Sequence, residues 1–159
     1  MRIGFGFDVH QLKDEHPFWL GGILIPHTKG AYGHSDADVM IHAICDALLG
    51  AANLGDIGQH FPDTSAEFKN IDSKILLRDV IQLIGEKGYQ IMNIDVTLCL
   101  EKPKIAPLIP EMRKTLCDTM RIPEEDLSIK ATTNEKMGFI GRQEGVVCYA
   151  VTLLQKNIA

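Results

Sequence analysis

The amino-acid sequence predicts one α+β domain, a mixed sheet of four or more strands with helices packed on one face. Its 159 residues, 45% of them hydrophobic, suffice for one core and are short for two. Segments with strand and helix periodicity alternate along the chain, yet the last two strand-like segments follow each other closely, which favours a mixed sheet over a doubly wound one. No repeat, low-complexity tract or Pro/Gly/Ser linker divides residues 1–159.

The first strand is RIGFGFDV, Arg2 to Val9, whose glycines let another backbone or a ligand come close. FWLGGILIP, Phe18 to Pro26, reads as a second extended stretch or a hairpin broken at Gly21-Gly22. From His34 to Gly55 the spacing turns helical, with Val39, Ile44, Ala47, Leu48 and Ala51 on roughly one face. Ser35 or Asp36 is the natural cap of this helix, and Gly55 lies just past its end. After the loop GDIGQHFPDTSAEFKN, a helix capped by Asp72 or Ser73 runs to Gly88. YQIMNIDVTLCLE alternates as a long strand. EMRKTLCDTM is a helix with Pro110 in its first turn. LSIKATT and VVCYAVTLL are strands on either side of the turn-rich NEKMGFIGRQEG.

Composition narrows the function. The net charge is −5 and the basic residues are dispersed, so a nucleic-acid backbone is not an expected partner. No run of about 18 apolar residues offers a membrane span, and the N-terminus lacks the layout of a signal or transit peptide. We expect a cytoplasmic protein, or one of a plastid or similar organelle if a targeting segment has been removed. Cys45, Cys99, Cys117 and Cys148 are scattered without a C-x-x-C pair, as buried reduced thiols are. An anionic substrate must then be held by metals, helix N-termini or backbone amides.

Strand alternation puts Asp8 and His10 on one face about 7 Å apart along the strand. Asp38, His42 and Asp46 recur every four residues on an otherwise apolar helix. A histidine between two acids suits a metal ligand whose second ring nitrogen is held by an outer carboxylate, so Asp38 and Asp46 are the expected orienting acids. Asp8, His10 and His42 supply one carboxylate and two imidazoles, a zinc set with its fourth position open. His34, at the helix start, can donate to a phosphate oxygen. KATTNEK, Lys130 to Lys136, offers hydroxyls for phosphate and Glu135 for a hard cation.

DVH at 8–10, HSDADVMIHAICDALLGAA at 34–52, GDIGQHFPDT at 55–64, EKPKIAP at 101–107 and KATTNEKMGFIGRQEG at 130–145 together resemble the 2-C-methyl-D-erythritol 2,4-cyclodiphosphate synthase family of the non-mevalonate isoprenoid pathway. The likeness runs in order through nearly the whole chain, and Phe5 stands where histidine or another polar residue often occurs. The resemblance implies a homotrimer with active sites between adjacent subunits. It implies a small nucleotide substrate, 4-diphosphocytidyl-2-C-methyl-D-erythritol 2-phosphate, and the products cyclic diphosphate and CMP. Zn²⁺ or another divalent transition metal would sit on Asp8, His10 and His42, with Mg²⁺ or Mn²⁺ on the substrate diphosphate near Glu135. His34 and Thr133 would stabilise the transition state. Ser35, Asp56, Gly58 and Asp63 would line the sugar-phosphate side, with Asp56 on the erythritol hydroxyls, and Asp8, Val9, His10, His34, Ile57, Phe61, Pro62, Thr64 and Ser65 would also bind the substrate. Leu100, Glu101, Lys102, Pro103, Lys104, Ile105 and Ala106 would grip the cytosine. Thr132 and Glu135 would serve the phosphates, Thr133 and Asn134 would also bind the substrate, and Phe139 and Arg142 would lie near the substrate and the trimer axis.

In the reaction so implied, the substrate's 2-phosphate attacks the β-phosphorus of its own CDP group, and no protein nucleophile is needed. Two other readings use the same residues. A zinc hydrolase would need a general base, for which Asp46 is a weak candidate. A binding module would use Phe7, Val9 and Phe139 beside Arg142 to hold a prenyl diphosphate in the trimer cavity, although packing between subunits is the simpler role for these side chains.

Overall fold

The computed structural model describes residues 1–62 and 64–157. The chain runs through β1 (Arg2–Asp14), β2 (Phe18–Leu20), β3 (Ile23–Ile25), β4 (Lys29–Tyr32), α1 (Val39–Ala51), α2 (Ile57–His60), α3 (Ser73–Glu86), β5 (Tyr89–Cys99), α4 (Ile109–Met120), β6 (Leu127–Thr132), α5 (Gly138–Gly141) and β7 (Gly145–Lys156). Among the described residues, five strands form one sheet in the order β4-β1-β7-β5-β6, and β2 and β3 form a separate hairpin. The α+β class, the mixed sheet and the covering helices agree with expectation.

The reason for the mixture differs from the one expected. β6 and β7 follow each other in sequence but do not pair; β7 lies between β1 and β5, antiparallel to both. The parallel pair is β5 with β6, and α4 makes the crossover that parallel strands require. β4, which pairs with β1, went unrecognised because KGAY has no alternation to mark it.

β1 carries the logic of the fold in its alternation. Gly4, Gly6 and Leu12 are buried, whereas Ile3, Phe5, Phe7 and Val9 are exposed on the opposite face. A Cβ on Gly4 would stand 1.9 Å from the Ala47 carbonyl oxygen, and one on Gly6 1.9 Å from that of Ala43. The α1 backbone therefore rests directly on the strand. Two strand residues and one helical turn both advance about 6 Å, so Gly4 beneath Ala47 and Gly6 beneath Ala43 bring the start of α1 over Asp8 and His10. All of α1 except His42, Asp46 and Gly50 is buried.

Gly6→Ala pushes against backbone that cannot yield. We expect it to cost about 1–3 kcal/mol and to pull His42 away from β1. A variant with wild-type melting temperature and metal content would overturn this reading of the contact.

α1 starts later than expected. Its cap is Asp38, not Ser35 or Asp36: the carboxylate accepts from Met40 N at 3.2 Å and Ile41 N at 3.1 Å. It also reaches outside the helix to Gly21 N at 2.9 Å and Gly22 N at 2.7 Å. Both glycines have positive φ, 60° and 79°, the backbone that a tight β2–β3 turn needs. Among the described residues no helix is long and apolar enough to cross a membrane.

Candidate metal centre

With β1 under α1, three side chains from two elements meet. Asp8 Oδ2 lies 3.0 Å from His10 Nε2 and 3.0 Å from His42 Nδ1, and the two ring nitrogens are 3.2 Å apart. A tetrahedral ion with ligands at about 2.0–2.2 Å sets neighbouring ligand atoms about 3.3–3.5 Å apart. The observed triangle is within a few tenths of an ångström of one face of such a tetrahedron. The side chains are 12–25% exposed, so an ion or substrate can reach them from the cavity they face.

The electrostatics fit a cation. Burial alone would raise the Asp8 carboxyl, but hydrogen bonds with His10 and His42, backed by the charges of both rings, hold it down at about 2. Burial lowers His10, yet the bond and charge of Asp8 and the bond to the Tyr32 carbonyl raise it overall. His10 Nδ1 stands 3.1 Å from that carbonyl, which can only accept. The proton therefore belongs on Nδ1, and the Nε2 lone pair of the neutral ring faces Asp8. Proton and metal compete for this lone pair.

The expected orienting acids of His42 are elsewhere. Asp38 is engaged by the four amides already described. Asp46 Oδ1 accepts from Ile57 N at 2.8 Å, tying α1 to α2, and the Asp46 carboxyl is raised chiefly by burial. The i, i+4 stripe put both acids near His42, but each finds amide donors closer to hand. His42 Nε2 instead meets Ser73 Oγ at 3.0 Å and Ser35 Oγ at 3.2 Å. Ser73 was missed because it opens α3, 31 residues away, and no local spacing points from it to His42.

These ligands floor a cavity of about 510 Å³, within the range of small-molecule sites. His34, Ser35, Asp46, Ile57, Gly58, Phe61 and Pro62 share its walls with Gly33, Phe68, Ile71 and Leu76. His34 Nε2 donates to the Ser65 carbonyl at 3.0 Å, which anchors the ring in the wall. Asp56 caps α2, accepting from Gln59 N at 3.0 Å. Thr64 is exposed beside this loop, and Asp63 lies outside the described residues.

The remaining expected residues form a second group where β5 and β6 end. Leu100 N donates to the Thr132 carbonyl at 3.0 Å, and Asn134 N to Glu101 Oε2 at 3.2 Å. Thr133 Oγ1 donates to Glu135 Oε1 at 3.3 Å. Lys102, Pro103, Lys104, Ile105 and Ala106 continue from Glu101. Phe139 lies in α5, and Arg142 just beyond it donates to both Glu144 oxygens at 3.0 Å. Val9, Val147, Cys99 and Thr132 are in register across β1, β7, β5 and β6. The two groups thus lie at one end of the sheet, three strand spacings or about 14 Å apart.

A family model described as the YgbB family matches residues 1–155. The chain belongs to the YgbB family. It is 63% identical over 156 residues, 98% of this chain and 97% of the relative, to a Parabacteroides distasonis protein named 2-C-methyl-D-erythritol 2,4-cyclodiphosphate synthase. A Bacteroides thetaiotaomicron protein of the same name is 59% identical over 157 residues, 99% of each chain. A synthase of this name solved in its CDP-bound form superposes with a TM-score of 0.90 at 36% identity, over 97% of this chain and 100% of that one. The bifunctional IspDF of Campylobacter jejuni superposes with a TM-score of 0.95 at 40% identity; 98% of this chain matches 42% of that longer one. The resemblance read from the motifs therefore holds along nearly the whole chain. In this YgbB chain, Asp8, His10 and His42 form a group able to hold a metal ion.

Proposed function

We propose that the chain converts 4-diphosphocytidyl-2-C-methyl-D-erythritol 2-phosphate to 2-C-methyl-D-erythritol 2,4-cyclodiphosphate and CMP, acting as a phosphorus–oxygen lyase. The observation that carries this reading is the convergence of Asp8, His10 and His42 on one cavity, in a chain whose relatives bear that synthase name. Zinc on these three residues, with Mg²⁺ or Mn²⁺ on the diphosphate near Glu135, would supply the positive charge that phosphoryl transfer needs and an acidic chain lacks.

The chain's own residues do the positioning. Asp8, His10 and His42 set the place of the β-phosphate. His34 and Thr133 are the donors we assign to the charge developing on phosphate oxygens, each turning to it from its present acceptor, the Ser65 carbonyl or Glu135. Ser35, Asp56 and Gly58 hold the sugar alcohol, bent so that the 2-phosphate meets the β-phosphorus; intramolecular attack of this kind removes several kcal/mol of entropy from the barrier. The stretch Leu100 to Ala106 holds the cytosine, and Thr132 and Glu135 the phosphates.

We further propose that adjacent copies complete each site. The separation of about 14 Å between the two residue groups suits a substrate spanning two subunits. The exposed apolar face of β1 and β7, with Ile3 75%, Phe5 62%, Phe7 45% and Val151 43% exposed, suits burial against further copies in a trimer. Arg142 is already paired with Glu144, which supports packing rather than capture of a prenyl diphosphate as the main role of Phe7, Val9 and Phe139.

Purified protein incubated with the CDP-linked substrate should release CMP and form a cyclic diphosphate with no gain of phosphomonoester by ³¹P NMR. A chelator should stop both. Linear phosphate products would favour the zinc hydrolase instead, and binding without turnover would favour the module.

A further inference from the structure

Accepting that Asp8, His10 and His42 hold a metal, we propose that Asp36 and Ser73 are a positioning pair that selects the metal-binding tautomer of His42. Ser73 is fully buried. Its hydroxyl donates to Asp36 Oδ1, and its backbone N–H donates to Asp36 Oδ2 at 2.9 Å. Asp36 Oδ1 also accepts from Asp38 N at 3.2 Å. The ionised carboxylate is an acceptor only, and a serine hydroxyl has a single proton. With that proton committed to Asp36, Ser73 Oγ can only accept from His42 Nε2, 3.0 Å away. The Nε2–H form follows, and the Nδ1 lone pair is turned toward Asp8 and His10.

The selection is needed because the site itself pulls the other way. Asp8 Oδ2, 3.0 Å from His42 Nδ1, would draw the neutral ring's proton onto Nδ1, where it blocks a ligand bond. Ser35, the second hydroxyl near Nε2, does not decide the matter. Its oxygen accepts from Ala37 N at 3.1 Å, which leaves its own proton able to point at an unprotonated Nε2. The acceptor-only state of Ser73, imposed by Asp36, is what separates the two tautomers. The pair also fastens the loop before α3 to the metal centre, since Asp36 N donates to the Ile71 carbonyl at 3.1 Å and Asn70 N to that of His34 at 2.8 Å.

Two substitutions test the pair. Ser73→Ala removes the acceptor. Asp36→Ala removes the acceptor of the serine proton, freeing that proton to face Nε2. Zinc affinity, measured with zinc alone in competition with a chromophoric chelator, should weaken roughly 10–100-fold in each. Independently, ¹⁵N NMR of the metal-free protein, at a pH where the ring is neutral, should show Nε2–H at His42 in the wild type and Nδ1–H in both variants. A merely structural role would not move this signature, and the wild-type reading needs no variant to fold. A neutral wild-type ring protonated at Nδ1 would overturn the proposal, as would variants with wild-type tautomer and zinc affinity. Failure of the wild type itself to bind zinc would overturn the metal centre and this proposal with it.

Discussion

His42→Ala is expected to abolish CMP release and to lower the zinc that copurifies with the protein. The ring is the one contribution of α1 to the ligand triangle, and without it Asp8 and His10 remain as a two-point site. A bound ion contributes several kcal/mol of charge stabilisation to phosphoryl transfer, and about 4 kcal/mol corresponds to roughly a thousandfold in rate. Elemental analysis checks the metal and the CMP assay checks the turnover. The circular dichroism spectrum should remain that of the wild type, because His42 is among the few α1 residues outside the apolar core. Full metal occupancy in this variant would remove His42 from the ligand set.

Asp38→Ala should be strongly destabilising, for a reason unrelated to catalysis. The carboxylate is fully buried and serves two donors in the first turn of α1 and two in the β2–β3 turn. Alanine leaves four amides without their acceptor, and unsatisfied buried donors cost about 1–3 kcal/mol each. Partial relaxation still leaves a loss on the order of 4 kcal/mol, a large share of the roughly 5–15 kcal/mol that holds a typical domain. At about 2–4 °C per kcal/mol for a chain of this size, the melting temperature should fall by about 8–16 °C. Asp38→Asn, which keeps one acceptor oxygen, should lose less. An alanine variant within about 1 kcal/mol of wild type would show that these bonds contribute little.

Asp38 also illustrates how far spacing can be read. In the sequence it belongs with His42 and Asp46, because residues four apart share a helix face. That rule assumes a helix already begun, and Asp38 is the residue that begins it. Its carboxylate turns back to the first-turn amides and across to Gly21 and Gly22, a contact that depends on where the β2–β3 turn lands. Asp46 is truly on the helix face, but the amide of Ile57 is its nearer partner. The orienting task passes to Ser73, whose hydroxyl reaches His42 only because α3 packs beside α1.

Much else was legible locally. Alternation along β1 placed Asp8 and His10 together, and the glycines before them announced a close neighbour. The break at Gly21-Gly22, a cap of α3 at Asp72 or Ser73 and Pro110 in the first turn of α4 follow from turn and capping chemistry within a few residues, and the structure chooses the hairpin and Asp72. Strand order did not, since β7 sits between β1 and β5 through pairings of residues 48 to 152 apart in sequence.

By itself, then, the sequence determined which side chains could hold a metal, the element that carries each, and the motifs that mark the YgbB family, because these rest on side-chain chemistry and short-range periodicity. Only the tertiary structure decided that Gly4 and Gly6 lay α1 on β1 closely enough for His42 to meet Asp8 and His10, and that a serine on another helix lies within hydrogen-bond reach of the ring. Those outcomes depend on backbones approaching across long stretches of chain, and a hydrogen bond takes the nearest suitable partner in space, wherever that partner stands in sequence.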